Sequence, residues 1–157
     1  MSAADYIRHA VFPAAFRLLP AAMDSDEACV MLMAIGYHES RFEYRRQIGG
    51  PAVSPFMFEL NGIRGVLNHK ATRGVIRPIL DQMLYGHAAE DSYIALANND
   101  ILSTVYARLL LWTHPKALPR IGDEQAALDY YLNLWRPGKP RLDSWAAAYT
   151  RGLEMLA

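Results

Sequence analysis

At 157 residues the chain can bury a core without metal or disulfide support, and 52% hydrophobic against 20% charged residues excludes a disordered polymer. Sixteen Lys and Arg balance sixteen Asp and Glu. A neutral chain lacks the long-range field that draws a polyanion, which sets general nucleic-acid binding aside.

In chain order, Ile7, Val11, Ala14, Ala15 and Leu18 fall at helical spacing, and Pro13 is expected to kink or restart that first helix. Residues 1–9 carry charges where a secretory signal needs an apolar run, so no signal peptide is expected. Asp24 and Glu27 have the spacing of a capping box ahead of a second helix. Residues 28–35 of that helix are apolar all round, the pattern of a helix surrounded by others. The run is far shorter than the roughly 20 residues a membrane span needs. Cys29, the one cysteine, stands in this apolar setting and is expected to be a buried, inert thiol.

Residues 43–55 hold Gly49-Gly50-Pro51 and Ser54-Pro55, which read as turns and a loop, with a short β-hairpin as the alternative. Helices are expected at 58–68, interrupted by Gly62 and Gly65, and at 72–84. Asn98-Asn99-Asp100 caps a helix with an apolar face of Ile101, Leu102, Val105, Leu109 and Trp112, closed by His114-Pro115. Gly122-Asp123 opens a helix over 124–135, and the last helix spans about 142–156. With no repeat, low-complexity tract or linker, the pattern is that of one all-α domain over 1–157.

The chemistry narrows by exclusion. His38 is followed four residues later by Phe42, not by the second histidine of a zinc-protease helix, and the other histidines share no ligand spacing. Ser40 lacks the Gly-x-Ser-x-Gly elbow, and no Gly-rich phosphate loop is present. What is left is a carboxylate doing acid/base work, or binding. Glu39 closes a greasy helix, where the helix dipole and apolar neighbours both disfavour the anion and raise the pKa toward that of a general acid. The alternative is a solvated carboxylate paired with Arg41, Arg45 or Arg46, which would lower its pKa.

Glu39-Ser40-Arg41-Phe42, then Gly49-Gly50-Pro51-Ala52, then Phe56-Met57-Phe58-Glu59, resembles the active-site segment of the lysozyme-like lytic transglycosylases and goose-type lysozymes, particularly the phage-encoded, endolysin-like kind. Tyr130-Tyr131-Leu132-Asn133-Leu134-Trp135-Arg136-Pro137-Gly138-Lys139 resembles their C-terminal half, where a tyrosine borders the glutamate. The resemblance covers about residues 31–148. It implies a two-lobed helical domain that cuts the β-1,4 bond between N-acetylmuramic acid and N-acetylglucosamine in peptidoglycan, with Glu39 as acid and then base and with no metal or cofactor. Ser40, Met57, Phe58, Tyr130 and Tyr131 are the implied substrate-binding residues, with one tyrosine hydroxyl turned toward Glu39 and Trp135 in the core. Glu43 or Glu59 is the candidate second carboxylate if water is the nucleophile, the separation distinguishing inversion at about 6.5–9.5 Å from retention at about 5–5.5 Å. The implied partners are peptidoglycan glycan strands and other phage virion proteins, and the implied location is host cytoplasm for synthesis, then the periplasmic wall or a virion.

Two departures stand out. Met57 occupies the place of the family's glutamine and cannot offer a sugar N-acetyl group an amide hydrogen bond. Pro55 stiffens a loop that is usually glycine-flexible. A catalytically weakened structural or wall-binding module is therefore the alternative function. The basic residues Arg41, Arg45 and Arg46, and Arg64, Lys70, Arg73 and Arg77, suit either a solvated face or the peptide carboxylates of peptidoglycan.

Overall fold

The computed structural model describes residues 1–157, and its first helix shows how the chain accommodates a proline. α1 (Ala3–Tyr6) passes through a π turn at Ile7–Val11 into α2 (Phe12–Leu18). Pro13 falls in the first turn of α2, where a missing N–H is harmless, and the wider turn before it lets the Phe12 N–H reach the Ile7 carbonyl. The expected restart takes the form of this π turn.

α3 (Asp26–Ser40) is the central helix. Its cap is Ser25, whose hydroxyl accepts from the Ala28 N–H at 3.1 Å, in place of the expected Asp24–Glu27 box. Asp26 and Glu27 put negative charge in the first turn, where the dipole favours it. Ala28, residues 30–36, His38 and Ser40 are buried, so the helix has no solvent face of its own. Cys29 is only partly buried, against expectation, yet desolvation still pushes its thiol up to about 11.

After a loop, the remaining helices are α4 (Leu60–Asn68), α5 (Arg73–Gln82), α6 (Ala89–Leu96), α7 (Asp100–Trp112), α8 (Glu124–Trp135) and α9 (Trp145–Leu153). Asn99 and Asp123 cap α7 and α8 through their side chains, as the sequence suggested. α6 was not anticipated; it is short and has no side-chain cap. Helices take up 64% of the residues and no sheet forms, so the fold is all-α. The hairpin alternative is reduced to two isolated bridges, Arg46 with Val53 and Val53 with Phe58.

One connected cluster of 40 buried residues runs from Ile7 to Tyr149. α3 packs most extensively on α9, while α7 touches α2, α3, α4, α5 and α6. Gly152 of α9 lies so close to α3 that a Cβ there would stand 2.5 Å from the Val30 carbonyl oxygen, which only glycine tolerates. No helix is long and apolar enough to cross a membrane.

Candidate active site

Glu39 sits in the last turn of α3, between buried His38 and buried Ser40. Arg41 ends the helix in a left-handed conformation with φ 53°, returning its N–H to the Tyr37 carbonyl. The Glu39 side chain is half-buried, and the Tyr131 hydroxyl of α8 donates a hydrogen bond to its Oε1. Burial raises the Glu39 pKa above the usual carboxylate range; the Tyr131 bond and then the charge of Arg141 pull it partly back. Burial and the neighbouring carboxyl push the Tyr131 phenol far up, so it stays a donor.

The glutamate stands in an aromatic corner. Tyr131 stacks on Trp145 at 5.1 Å between ring centroids and on Trp135 at 6.0 Å, and the His38 ring meets Tyr131 and Trp145 edge-on at 5.3 and 5.4 Å. His38 is 7% exposed, and desolvation lowers its pKa to about 4, so the imidazole is neutral at pH 7. Its Nδ1 lies 3.2 Å from Ser144 Oγ, and Arg141 donates to its backbone carbonyl at 2.8 Å.

The loop after α3 is pinned along its length. Arg45 makes a two-pronged contact with Asp100 at 2.6 and 2.8 Å, and the Tyr93 hydroxyl donates to the Pro51 carbonyl. Ser40 Oγ donates to the Pro55 carbonyl at 2.6 Å, and Trp135 Nε1 to the Phe56 carbonyl at 2.9 Å. Four of the six non-glycine residues with left-handed backbone lie here: Arg41, Phe42, Ser54 and Met57. Such strain persists only where surrounding contacts over-determine it, and these anchors do so.

The sequence-derived candidates separate accordingly. Glu39 and Tyr131 come together. Tyr130 does not join them; its hydroxyl lies 3.0 Å from the Leu111 and Lys116 carbonyls and its ring stacks on His114. That assignment is corrected because successive residues on a helix point to different faces. Ser40 is a brace, not a sugar contact: besides donating to Pro55, its oxygen accepts from the Phe42 N–H at 3.1 Å. Phe58 is 2% exposed and packs on Tyr106 and Trp135, so it belongs to the core, as does Phe56. Met57 is half-exposed with φ 51°. Glu43 and Glu59 are exposed carboxylates without intrachain hydrogen bonds, and Glu59 takes the N-cap position of α4 without capping it. Trp135, expected in the core, is half-buried.

None of the nearby arginines pairs with Glu39. Arg45 is held by Asp100, and Arg41 and Arg46 are exposed without ion pairs. Farther off, Arg64 pairs with Glu90 and Arg77 reaches the Leu67 carbonyl. The residues missed from sequence are His38, Trp145 and Arg141. Arg141 reaches Glu39's surroundings from a separate segment, for which no local pattern exists; His38 could have been read from its place one residue inside the apolar helix.

Two cavities, of about 820 and 480 Å³, are not lined by Glu39. The first lies between the Leu84–Gly86 turn, α6 and the start of α7; the second lies beside Arg108 and Tyr130. Tyr130, implied as a substrate-binding residue, therefore borders a different hollow. No three His, Cys, Asp or Glu side chains gather where they could share a metal ion. Comparison with models of known families, with curated proteins and with solved structures finds no match to this chain.

Proposed function

We propose that the protein is a peptidoglycan-cleaving glycosidase of the lysozyme-like, two-lobed kind, a lytic transglycosylase or muramidase, with Glu39 as its single acid/base. The observation that supports this reading is a carboxyl held toward its protonated form by burial, ending a core helix, bonded to a phenol and in no ion pair. The substrate class rests on the resemblance of residues 39–59 to the family segment.

In this mechanism protonated Glu39 delivers its proton to the glycosidic oxygen as the bond to the muramyl C1 breaks, releasing N-acetylglucosamine as an alcohol. Tyr131, remaining a donor on Oε1, stabilises the carboxylate left behind and leaves Oε2 for proton transfer. The carboxylate then takes the proton of the muramyl C6 hydroxyl, whose oxygen bonds to C1 and closes a 1,6-anhydro ring. The proton returns to Glu39 and no second carboxylate is required. Glu43 and Glu59, exposed and without hydrogen-bonded partners, fit this single-carboxylate course better than a hydrolytic pair. Glu39→Gln should abolish clearing of permeabilised Gram-negative cells, and unchanged lysis by the variant refutes the mechanism. Mass spectrometry of digested sacculi separates anhydro from hydrolysed muropeptides, which differ by one water.

A second reading, a wall-binding or virion structural module, draws support from Glu39 lining neither of these two cavities and from Met57 in the glutamine position. Retention on purified sacculi without released muropeptides selects it.

A further inference from the structure

The chain leaves one buried side-chain nitrogen without a partner, Nη1 of Arg108 in α7. Arg108 is 2% exposed, donates through Nε to the Met23 carbonyl at 2.7 Å, and sets its guanidinium 5.2 Å from the Trp112 ring centroid. It forms no ion pair. A guanidinium cannot shed its proton, so this is a fixed buried charge, and a buried charge without a counter-ion is costly.

A cavity of about 480 Å³ adjoins it. Lys116 and Arg120 stand in its lining, both exposed and neither in an ion pair, while Glu27 is its one carboxylate. Three permanent cations thus face one anion in a chain of zero net charge. Trp112, 39% exposed, supplies a planar apolar wall, and the volume exceeds what an inorganic oxyanion fills.

We propose that this cavity binds a small phosphate-bearing molecule, its oxyanion on Lys116 and Arg120 against the Arg108 guanidinium, its organic part against Trp112. The site is separate from Glu39 and does not depend on the glycosidase reading. The test titrates the full chain with inorganic phosphate, phenyl phosphate and benzoate at constant ionic strength, followed by calorimetry and tryptophan emission. Phenyl phosphate should bind saturably and more tightly than phosphate or benzoate, with an emission change that disappears in Trp112→Phe. Lys116→Ala and Arg120→Ala, both at exposed positions, should each weaken binding on the order of tenfold, as expected for a lost charge-assisted hydrogen bond. Arg108→Lys keeps the charge, loses the planar guanidinium, and should remove the response. Absence of saturable binding overturns the proposal. So does equal affinity in the Lys116→Ala/Arg120→Ala double variant, or benzoate binding as well as phenyl phosphate.

Discussion

Two core helices each carry an ionisable side chain withdrawn from water, half-buried Glu39 on α3 and buried Arg108 on α7, and the two answer desolvation in opposite ways. Glu39 closes α3 beneath an aromatic corner, and burial moves it toward its neutral form. Arg108 lies in the middle of α7, and burial lowers its pKa as well, but from so high a value that it stays charged. A carboxyl can answer desolvation by taking a proton, so a buried one becomes an acid. A guanidinium can answer only by finding electrons nearby: here a carbonyl, an indole face and, by our proposal, a bound oxyanion. The same physical cost favours a protonated carboxyl on α3 and leaves a fixed, partly unpartnered charge on α7.

The most severe challenge to that contrast falls on Glu39. Glu39→Gln should lower lytic activity by about 10²–10⁴-fold, the usual share of a general acid, while the far-ultraviolet circular dichroism stays unchanged. Its neighbour His38 supplies the next largest effect, read in stability against pH. Folded His38 is neutral down to about pH 4, whereas the unfolded ring protonates near 6.5. The stability it contributes is complete above pH 6.5 and is lost as pH falls toward 4, on the order of a few kcal/mol. Urea titrations of the parent and of His38→Gln should converge in slope against pH only if this assignment is wrong. Glu39 has the opposite sign: with its folded pKa raised, its contribution is present at low pH and lost as pH rises through the raised value.

Gly152→Ala probes the packing that holds the corner together. The added methyl meets the Val30 carbonyl, so α9 must move off α3, at a cost of about 1–3 kcal/mol measurable by urea unfolding. The smallest change is Tyr131→Phe. Losing one hydrogen bond costs about 1 kcal/mol, and because that bond favours the anion, Glu39 should hold its proton to higher pH. The basic limb of the lytic pH profile should then shift upward; a downward shift would show that Tyr131 does not donate to Glu39.

Much of this was legible along the chain. The asparagine and aspartate caps of α7 and α8 and the all-round apolar α3 follow from local patterns that secondary structure obeys directly. So does the raised pKa at its end, because the greasy run and the position of Glu39 are both written in order. The choice between Tyr130 and Tyr131 was not legible, since one residue of helix rotation decides it and nothing local sets that rotation. Ser40 and Phe58 were read as substrate contacts because motif position says nothing of which way a side chain turns once a loop is tied down. α6 lacks a side-chain cap and gave no start signal.

The amino-acid order by itself determined an all-α chain with a buried central helix ending in a carboxyl, because helix periodicity and capping act over a few residues. Which tyrosine reaches that carboxyl, that Arg45 is drawn away to Asp100, and that Arg108 is left with a free Nη1 beside Lys116 and Arg120 were decided only when segments far apart in the chain packed together. Charge energies in a core depend on distance and water exclusion in three dimensions, and neither exists until the helices meet.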